Sequence, residues 1–241
     1  MVDPRLVPSV FSAWLAPALL VVAACSNSDA TMSAPDAGSS SCDPATVLPS
    51  NYRLIAATST GLVTVATSNG VTSGTIDATA GGVTAAAGNP YIYVDLRAGT
   101  KVAITDLAAR TSADWDIALK RSSLRVNGGD SGAGGRSLAV LPAATLAEVT
   151  AGPADGYAID DFTTAGCTLD SLPAGEPKTA FGEWYDYDDT THAVTPKAEV
   201  YVIERGDGSR TALRIDAYAG DPSMPTRTAF YRAAWKQLPS K

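Results

Sequence analysis

From about residue 46 onward, apolar residues come in short runs separated by Gly, Asn and Ser. Tyr52-Arg-Leu-Ile-Ala-Ala, Leu62-Val-Thr-Val, Pro90-Tyr-Ile-Tyr-Val-Asp-Leu and Lys101-Val-Ala-Ile are rich in β-branched and aromatic side chains and read as strands. Asp114-Trp-Asp-Ile-Ala-Leu-Lys alternates. Trp115, Ile117 and Leu119 fall on one face, and Asp114, Asp116 and Lys120 mainly on the other, the pattern of a half-buried strand. Glu199-Val-Tyr-Val-Ile-Glu-Arg and Arg210-Thr-Ala-Leu-Arg-Ile-Asp-Ala-Tyr flank Gly206-Asp-Gly-Ser, which predicts a hairpin. Within it Leu213, Ile215 and Ala217 share one face, and Arg214 and Asp216 the other. Ala229-Phe-Tyr-Arg-Ala-Ala-Trp supplies a closing strand, and only Pro142 to Thr150 reads as a helical turn or two. No repeat of 20–50 residues is present. Many short strands with turns between them predict an all-β, antiparallel sandwich or barrel-like fold.

The N-terminus follows another pattern. Phe11 to Ala24 is an apolar run of 14 residues, too short for a membrane span of about 20 and suited to a signal-peptide core. Ala23 and Ala24 directly before Cys25 resemble a bacterial lipobox, whose cysteine takes a diacylglycerol and becomes the first mature residue. Ser26 stands where Asp would favour retention at the inner membrane, so an outer-membrane or cell-surface site on a Gram-negative bacterium is expected. Residues 26–45, SNSDATMSAPDAGSSSCDPA, hold no aromatic side chain and cannot offset their ordering entropy by burial. The expected organisation is a signal peptide over 1–24, a lipidated Cys25 with a flexible tether over 25–48, and one β domain over 49–241.

The formal charge of −7 is unchanged once Asp3 and Arg5 leave with the signal peptide. An acidic chain without a Lys/Arg cluster argues against nucleic acid and against electrostatic docking on anionic lipid. Setting Cys25 aside leaves Cys42 and Cys167, which an oxidising compartment allows to pair; spacing alone does not decide it. Two cysteines and one histidine are a poor zinc set.

Two segments invite a chemical reading. Gly129-Asp-Ser-Gly, within NGGDSGAGG, is shaped like a serine nucleophile loop, but the sole histidine, His192, follows it in the chain and no other protease motif accompanies it. The loop also lacks the Gly-Lys-Ser/Thr of a phosphate cradle; on composition it is a mobile glycine-rich connection. Asp186, Asp188 and Asp189 lack the glycine and terminal glutamate of a calcium loop and read as a solvated turn.

Several segments in order resemble one family. These are Thr75-Ile-Asp-Ala, Tyr91-Ile-Tyr-Val-Asp-Leu-Arg-Ala-Gly, Trp115-Asp-Ile-Ala-Leu-Lys-Arg and Leu124-Arg-Val-Asn-Gly-Gly-Asp-Ser-Gly-Ala-Gly-Gly, then Trp184-Tyr-Asp-Tyr, Thr191-His-Ala-Val-Thr-Pro-Lys, Val200-Tyr-Val-Ile and Leu213-Arg-Ile-Asp-Ala-Tyr. Over about residues 50–238 the chain is similar to the HmuY family of bacterial lipoproteins. The resemblance implies an all-β fold, no enzymatic activity, and haem capture at the cell surface for transfer to an outer-membrane receptor. It further implies two axial side chains, His or Met, on the haem iron. With Met1 in the signal peptide and Met32 in the tether, His192 and Met224 are the only His/Met pair of the folded domain. The same resemblance leaves open a surface interaction or small-ligand module without haem. Tyr185, Tyr187 and Tyr218 are available to line a porphyrin face or to pack the sheet, packing being the simpler expectation.

Overall fold

A computed structural model of the chain describes residues 42–240 except Pro222 and Pro225. The signal segment, Cys25 and Met32 lie outside the described residues.

Twelve strands are described: β1 (Val63–Ser68), β2 (Val71–Asp77), β3 (Ile92–Asp95), β4 (Thr100–Val102), β5 (Ile117–Lys120), β6 (Ser123–Val126), β7 (Ser137–Pro142), β8 (Tyr185–Tyr187), β9 (Val194–Pro196), β10 (Glu199–Glu204), β11 (Arg210–Ala217) and β12 (Phe230–Leu238). They form a six-stranded sheet in the order β1-β2-β12-β11-β10-β7, a four-stranded sheet β4-β3-β5-β6, and the hairpin β8-β9. Every pairing is antiparallel, and the fold is an all-β sandwich. Two single-turn helices, α1 (Pro44–Val47) and α2 (Asp106–Ala109), are capped by Asp43 and Thr105. No helix among the described residues is long and apolar enough to cross a membrane.

The main core lies between the sheets. Ile76, Tyr201, Ile203, Leu213, Ile215, Tyr231 and Trp235 from one meet Ile92, Val94, Ile117, Leu119, Leu124 and Val126 from the other. Full burial of each aliphatic side chain contributes about 1.5–3 kcal/mol. Trp235 also donates its indole N–H to the Leu96 carbonyl at 2.7 Å. A second cluster, Val200, Val202, Ala212 and Ala234, is covered by Leu146 and Val149. Tight β1–β2 pairing depends on Gly74, where a Cβ would stand 2.0 Å from the Thr64 carbonyl oxygen.

The β10–β11 hairpin forms as the sequence predicts, with Glu204 opposite Arg210. Elsewhere the expectations need correction. Tyr52 to Ala57 is no strand: Ser50–Tyr52 is a turn of 3-10 helix, and the chain runs on extended to a bridge between Thr58 and Thr105. Pro142 to Thr150 is no helix: Thr145 and Glu148 close a capping-box-like turn that nothing propagates. Asp116 and Lys120 do not face solvent. Every residue of β5 is buried, because the strand is covered on both sides. Ile117 and Leu119 enter the main core, whereas Ala118 and Trp115 pack with Tyr91, Tyr93 and Ala109.

Residues 42–48, grouped with the tether by composition, hold α1 and Cys42. Cys42 is disulfide-bonded to Cys167, their Cα atoms 5.4 Å apart. The bond closes the chain across a separation of 125 residues.

Candidate functional site

Three short segments converge on a cleft of about 360 Å³ lined by Leu172, Pro173, Ala174, Glu183, Tyr185, Asp186, Tyr187 and Lys197. One wall is a tight turn. Gly175 N–H donates to the Leu172 carbonyl and Leu172 N–H to the Glu176 carbonyl, each at 2.8 Å, and Gly175 adopts φ +82°. The opposite wall is the β8–β9 hairpin, in register from Tyr185 opposite Pro196 to Tyr187 opposite Val194. At the cleft Lys197 Nζ lies 3.9 Å from Glu183, a loose surface pair.

Tyr185 of this wall belongs to an aromatic cluster. Trp184 packs on Tyr185, Tyr218 and Tyr231 with ring centroids 4.8, 5.9 and 5.5 Å apart, and its indole N–H donates to the Ser122 carbonyl at 2.8 Å. Buried Glu176 accepts from the Ser122 and Tyr185 hydroxyls. Burial raises the Glu176 carboxyl above the usual carboxylate range, and burial with the nearby Glu176 raises the Tyr185 phenol. The three tyrosines thus divide: Tyr218 packs the core, Tyr185 joins the buried aromatic cluster to the cleft wall, and Tyr187 is exposed at the cleft.

His192 does not line the cleft; it is exposed beside Tyr187, which does. Its turn is fixed by Asp188, whose Oδ1 accepts from Thr190 N–H and Thr191 N–H at 2.8 Å, while its carbonyl accepts from His192 N–H at 2.8 Å. His192 takes the left-handed conformation, φ +58°, one that histidine tolerates better than most residues. Its Nδ1 lies 2.7 Å from the Tyr187 hydroxyl. Met224 is half exposed in the loop before β12. Its N–H donates to Asp221 Oδ1 at 3.3 Å, and its carbonyl accepts from Arg227 N–H at 2.8 Å. No hydrogen bond or aromatic contact among the described residues joins it to His192. Asp186 lines the cleft and Asp188 holds the turn, so these two members of the acidic run have separate local tasks.

The HmuY protein family model matches residues 88–231, more than half the chain. The chain belongs to the HmuY family. No curated protein matches it. Among solved structures, an apo HmuY analogue from Tannerella forsythia aligns at 18% identity over 74% of this chain and 99% of its own, with a TM-score of 0.49. A protein described as an HmuY-like heme binding protein, from Bacteroides vulgatus, aligns at 18% identity over 73% and 96%, with a TM-score of 0.47. A lipoprotein structure from Bacteroides fragilis aligns at 17% over 75% and 96%, with a TM-score of 0.49.

The most specific HmuY-like segment of the sequence is architectural. The Asp116 carboxylate accepts from Leu96 N–H at 2.8 Å and is paired with Arg136 at 3.2 Å and with Arg205, whose Nε is 2.7 Å away. Arg205 also reaches Asp95 at 2.8 Å. Asn127 donates to the Ser112 and Trp115 carbonyls and accepts from Gly134 N–H. The glycine-rich loop is therefore a partly buried, hydrogen-bonded latch rather than a mobile connection. Ser131 is buried and donates to Asp160 Oδ2 at 2.5 Å, and Asp130 accepts from Phe162 N–H and Thr163 N–H. Gly129 sits at φ +60° where a Cβ would meet the Asp160 carbonyl at 2.0 Å, which excludes any side chain. The Ser131 hydroxyl is taken by Asp160 and the sole histidine is engaged by Tyr187, so the loop's glycines serve close packing. The composition that suggested mobility conceals this, because Asp160 lies 29 residues from Ser131 in sequence.

Asp160 is fully buried, and burial pushes its carboxyl up to about 7 against the opposing effect of its donors Ser131, Ala180 N–H and Val126 N–H. The folded state then binds a proton that the unfolded chain releases near 4. This group's stabilisation is complete below about pH 4 and is lost as pH rises to about 7. Urea midpoints of wild type and Asp160→Asn between pH 4 and 7.5 should show a wild-type decline that the variant lacks. Parallel profiles would show that Asp160 is ionised in the fold throughout.

Proposed function

We propose that this protein is a surface-anchored binding protein that holds haem in the cleft between the Leu172–Ala174 turn and the β8–β9 hairpin. One observation carries the reading: Tyr187 both lines the cleft and engages the chain's sole histidine. His192 is exposed and bonded through Nδ1, which leaves Nε2, a good iron donor, beside a residue of the cleft wall. The cleft itself offers Tyr185, Tyr187, Leu172 and Pro173 to a planar apolar ring and Lys197 to a carboxylate at its edge, while Glu183 and Asp186 also line it and the imidazole stands outside the lining. When bound, haem would supply the coordinating iron. The chain's residues would orient it, and Met224, carried by the loop before β12, is proposed as the other side chain that would hold the iron. HmuY-family membership supports a binding role without catalysis. A lipid on Cys25 would keep the domain beside an outer-membrane receptor that accepts the haem.

Adding haemin to the purified protein should give a shifted Soret band that saturates at one haemin per chain. A linear, unsaturating absorbance identical to free haemin would reject the proposal. A second reading, a small ligand other than haem in the same cleft, is favoured by the volume, which lies near the lower end of the range of about 300–1,000 Å³ for ligand sites. It predicts that His192→Ala leaves binding unchanged.

A further inference from the structure

We propose that Lys120 and Arg125 form a site for a small oxyanion, a carboxylate or phosphate group, and that residues 50–55 cover it as an autoinhibitory strap; this is independent of the haem reading above. Both cations come from the β5–β6 hairpin, where Lys120 is opposite Ser123 and Arg125 opposite Ala118. Both gather on the Tyr91 ring, with Lys120 Nζ 5.3 Å and the Arg125 guanidinium carbon 4.3 Å from its centroid. Lys120 is 0% exposed and Arg125 4%. An unpaired charge is costly to bury, yet no ion pair among the described residues includes either group. Arg125 Nε is buried with no hydrogen-bond partner among the described residues. The Asp106 carboxylate is already engaged by Ile55 N–H, Tyr91 N–H and the Tyr93 hydroxyl. Burial lowers the Lys120 amine to about 8 against the attraction of Asp106, and Arg125 and Arg53 lower it further. The pair therefore lacks the bound oxyanion that would neutralise it.

The strap's backbone occupies the place of that anion. Arg125 Nη2 donates to the Tyr52 carbonyl and Lys120 Nζ to the Arg53 carbonyl, each at 3.4 Å. These contacts are long, and a neutral carbonyl is a weaker partner for a cation than a charged oxygen. The strap is one layer deep, with Ser50, Asn51 and Arg53 exposed. Its ends are fixed. Cys42 is bonded to Cys167, and Ile55 exchanges two hydrogen bonds with Asp106, at 2.9 Å to the carboxylate and 3.1 Å from the Asp106 N–H. Between these ends Leu54 packs on the cluster of Tyr91 and Trp115, and Arg53 Nε donates to the Ala87 carbonyl at 3.3 Å. A short segment pinned at both ends and weakly bonded between them can lift without unfolding the sandwich.

The test titrates inorganic phosphate and acetate separately, at constant ionic strength, into wild type, Leu54→Ala, Lys120→Met and Arg125→Leu. Hydrogen exchange of the amides of residues 50–55 is followed alongside. The proposal expects saturation at one anion per chain and faster exchange in the strap on binding, because anion and strap exclude each other. A response to phosphate alone assigns a phosphate group, to acetate alone a carboxylate, and to both a general oxyanion site. Leu54→Ala loosens the strap without touching the cations. Apparent affinity should then rise about 10-fold, since a site open only part of the time is weakened by that fraction. Lys120→Met and Arg125→Leu should each weaken binding about 10-fold or more, the loss of one charged hydrogen-bond donor. Where one of these two does not fold, the other decides. Absence of saturation in both wild type and Leu54→Ala would overturn the proposal, as would binding that Lys120→Met and Arg125→Leu leave unchanged. Saturation without faster strap exchange would overturn the autoinhibitory strap.

Discussion

Replacing Asp116 with alanine is expected to cost about 3–5 kcal/mol of folding stability, the penalty for breaking a buried ion pair from one side. Asp116 is 1% exposed, and the side chains of Arg136 and Arg205 are 12% and 10% exposed. Losing the carboxylate leaves two cations with little water and strips the acceptor from Leu96 N–H. Asp95 still reaches Arg205 at 2.8 Å and offsets part of the loss. Asp116→Asn keeps an acceptor for Leu96 N–H and should fall between wild type and Asp116→Ala. Chemical denaturation at neutral pH measures this directly. Net stabilities are of the order of 5–15 kcal/mol, so the alanine variant should unfold at far lower denaturant. A loss below about 1 kcal/mol would mean that the arginines find other partners and that the network is not central to the sandwich.

Breaking the disulfide ranks beside it. Cys42 and Cys167 are 125 residues apart in sequence, and the chain-entropy account gives about 4–5 kcal/mol for a loop of that size. Cys42→Ser/Cys167→Ser should therefore lower the melting temperature strongly, and wild type with reductant should approach the double variant. The cleft turn at Leu172–Gly175 lies just beyond Cys167, so we expect ligand affinity to fall with the bond. Equal melting temperatures for wild type and double variant would show that the bond adds no stability to the fold.

Much of the sheet framework was legible because its strands are short apolar runs with Gly-rich turns: β10, β11 and β12 stand out as such runs, and β11 also alternates. β2 did not, since Val71-Thr-Ser-Gly-Thr-Ile-Asp has few large apolar residues and is a strand through its partners β1 and β12. β5 misled for a related reason. Alternation assigns Asp116 to water, but the partners that let it be buried, Arg136 and Arg205, lie 20 and 89 residues away. The candidate site was legible only as residue types. His192 stood out as the sole histidine, whereas the cleft beside it depends on a turn at Leu172–Gly175 and on which tyrosine points outward. Period-two patterning in the three-residue β8 could separate Tyr185 and Tyr187 from Asp186 but not from each other. The Tyr187–His192 spacing of five residues across a hairpin turn is a weak signal that becomes informative only with Asp188 capping between them.

The most direct measurement is a haemin titration of wild type beside His192→Ala, followed by absorbance. The account predicts a saturating one-to-one complex with a shifted Soret band in wild type and loss of that axial signature in the variant. Superimposable titrations would contradict the assignment of His192, and with it the claim that this cleft binds haem.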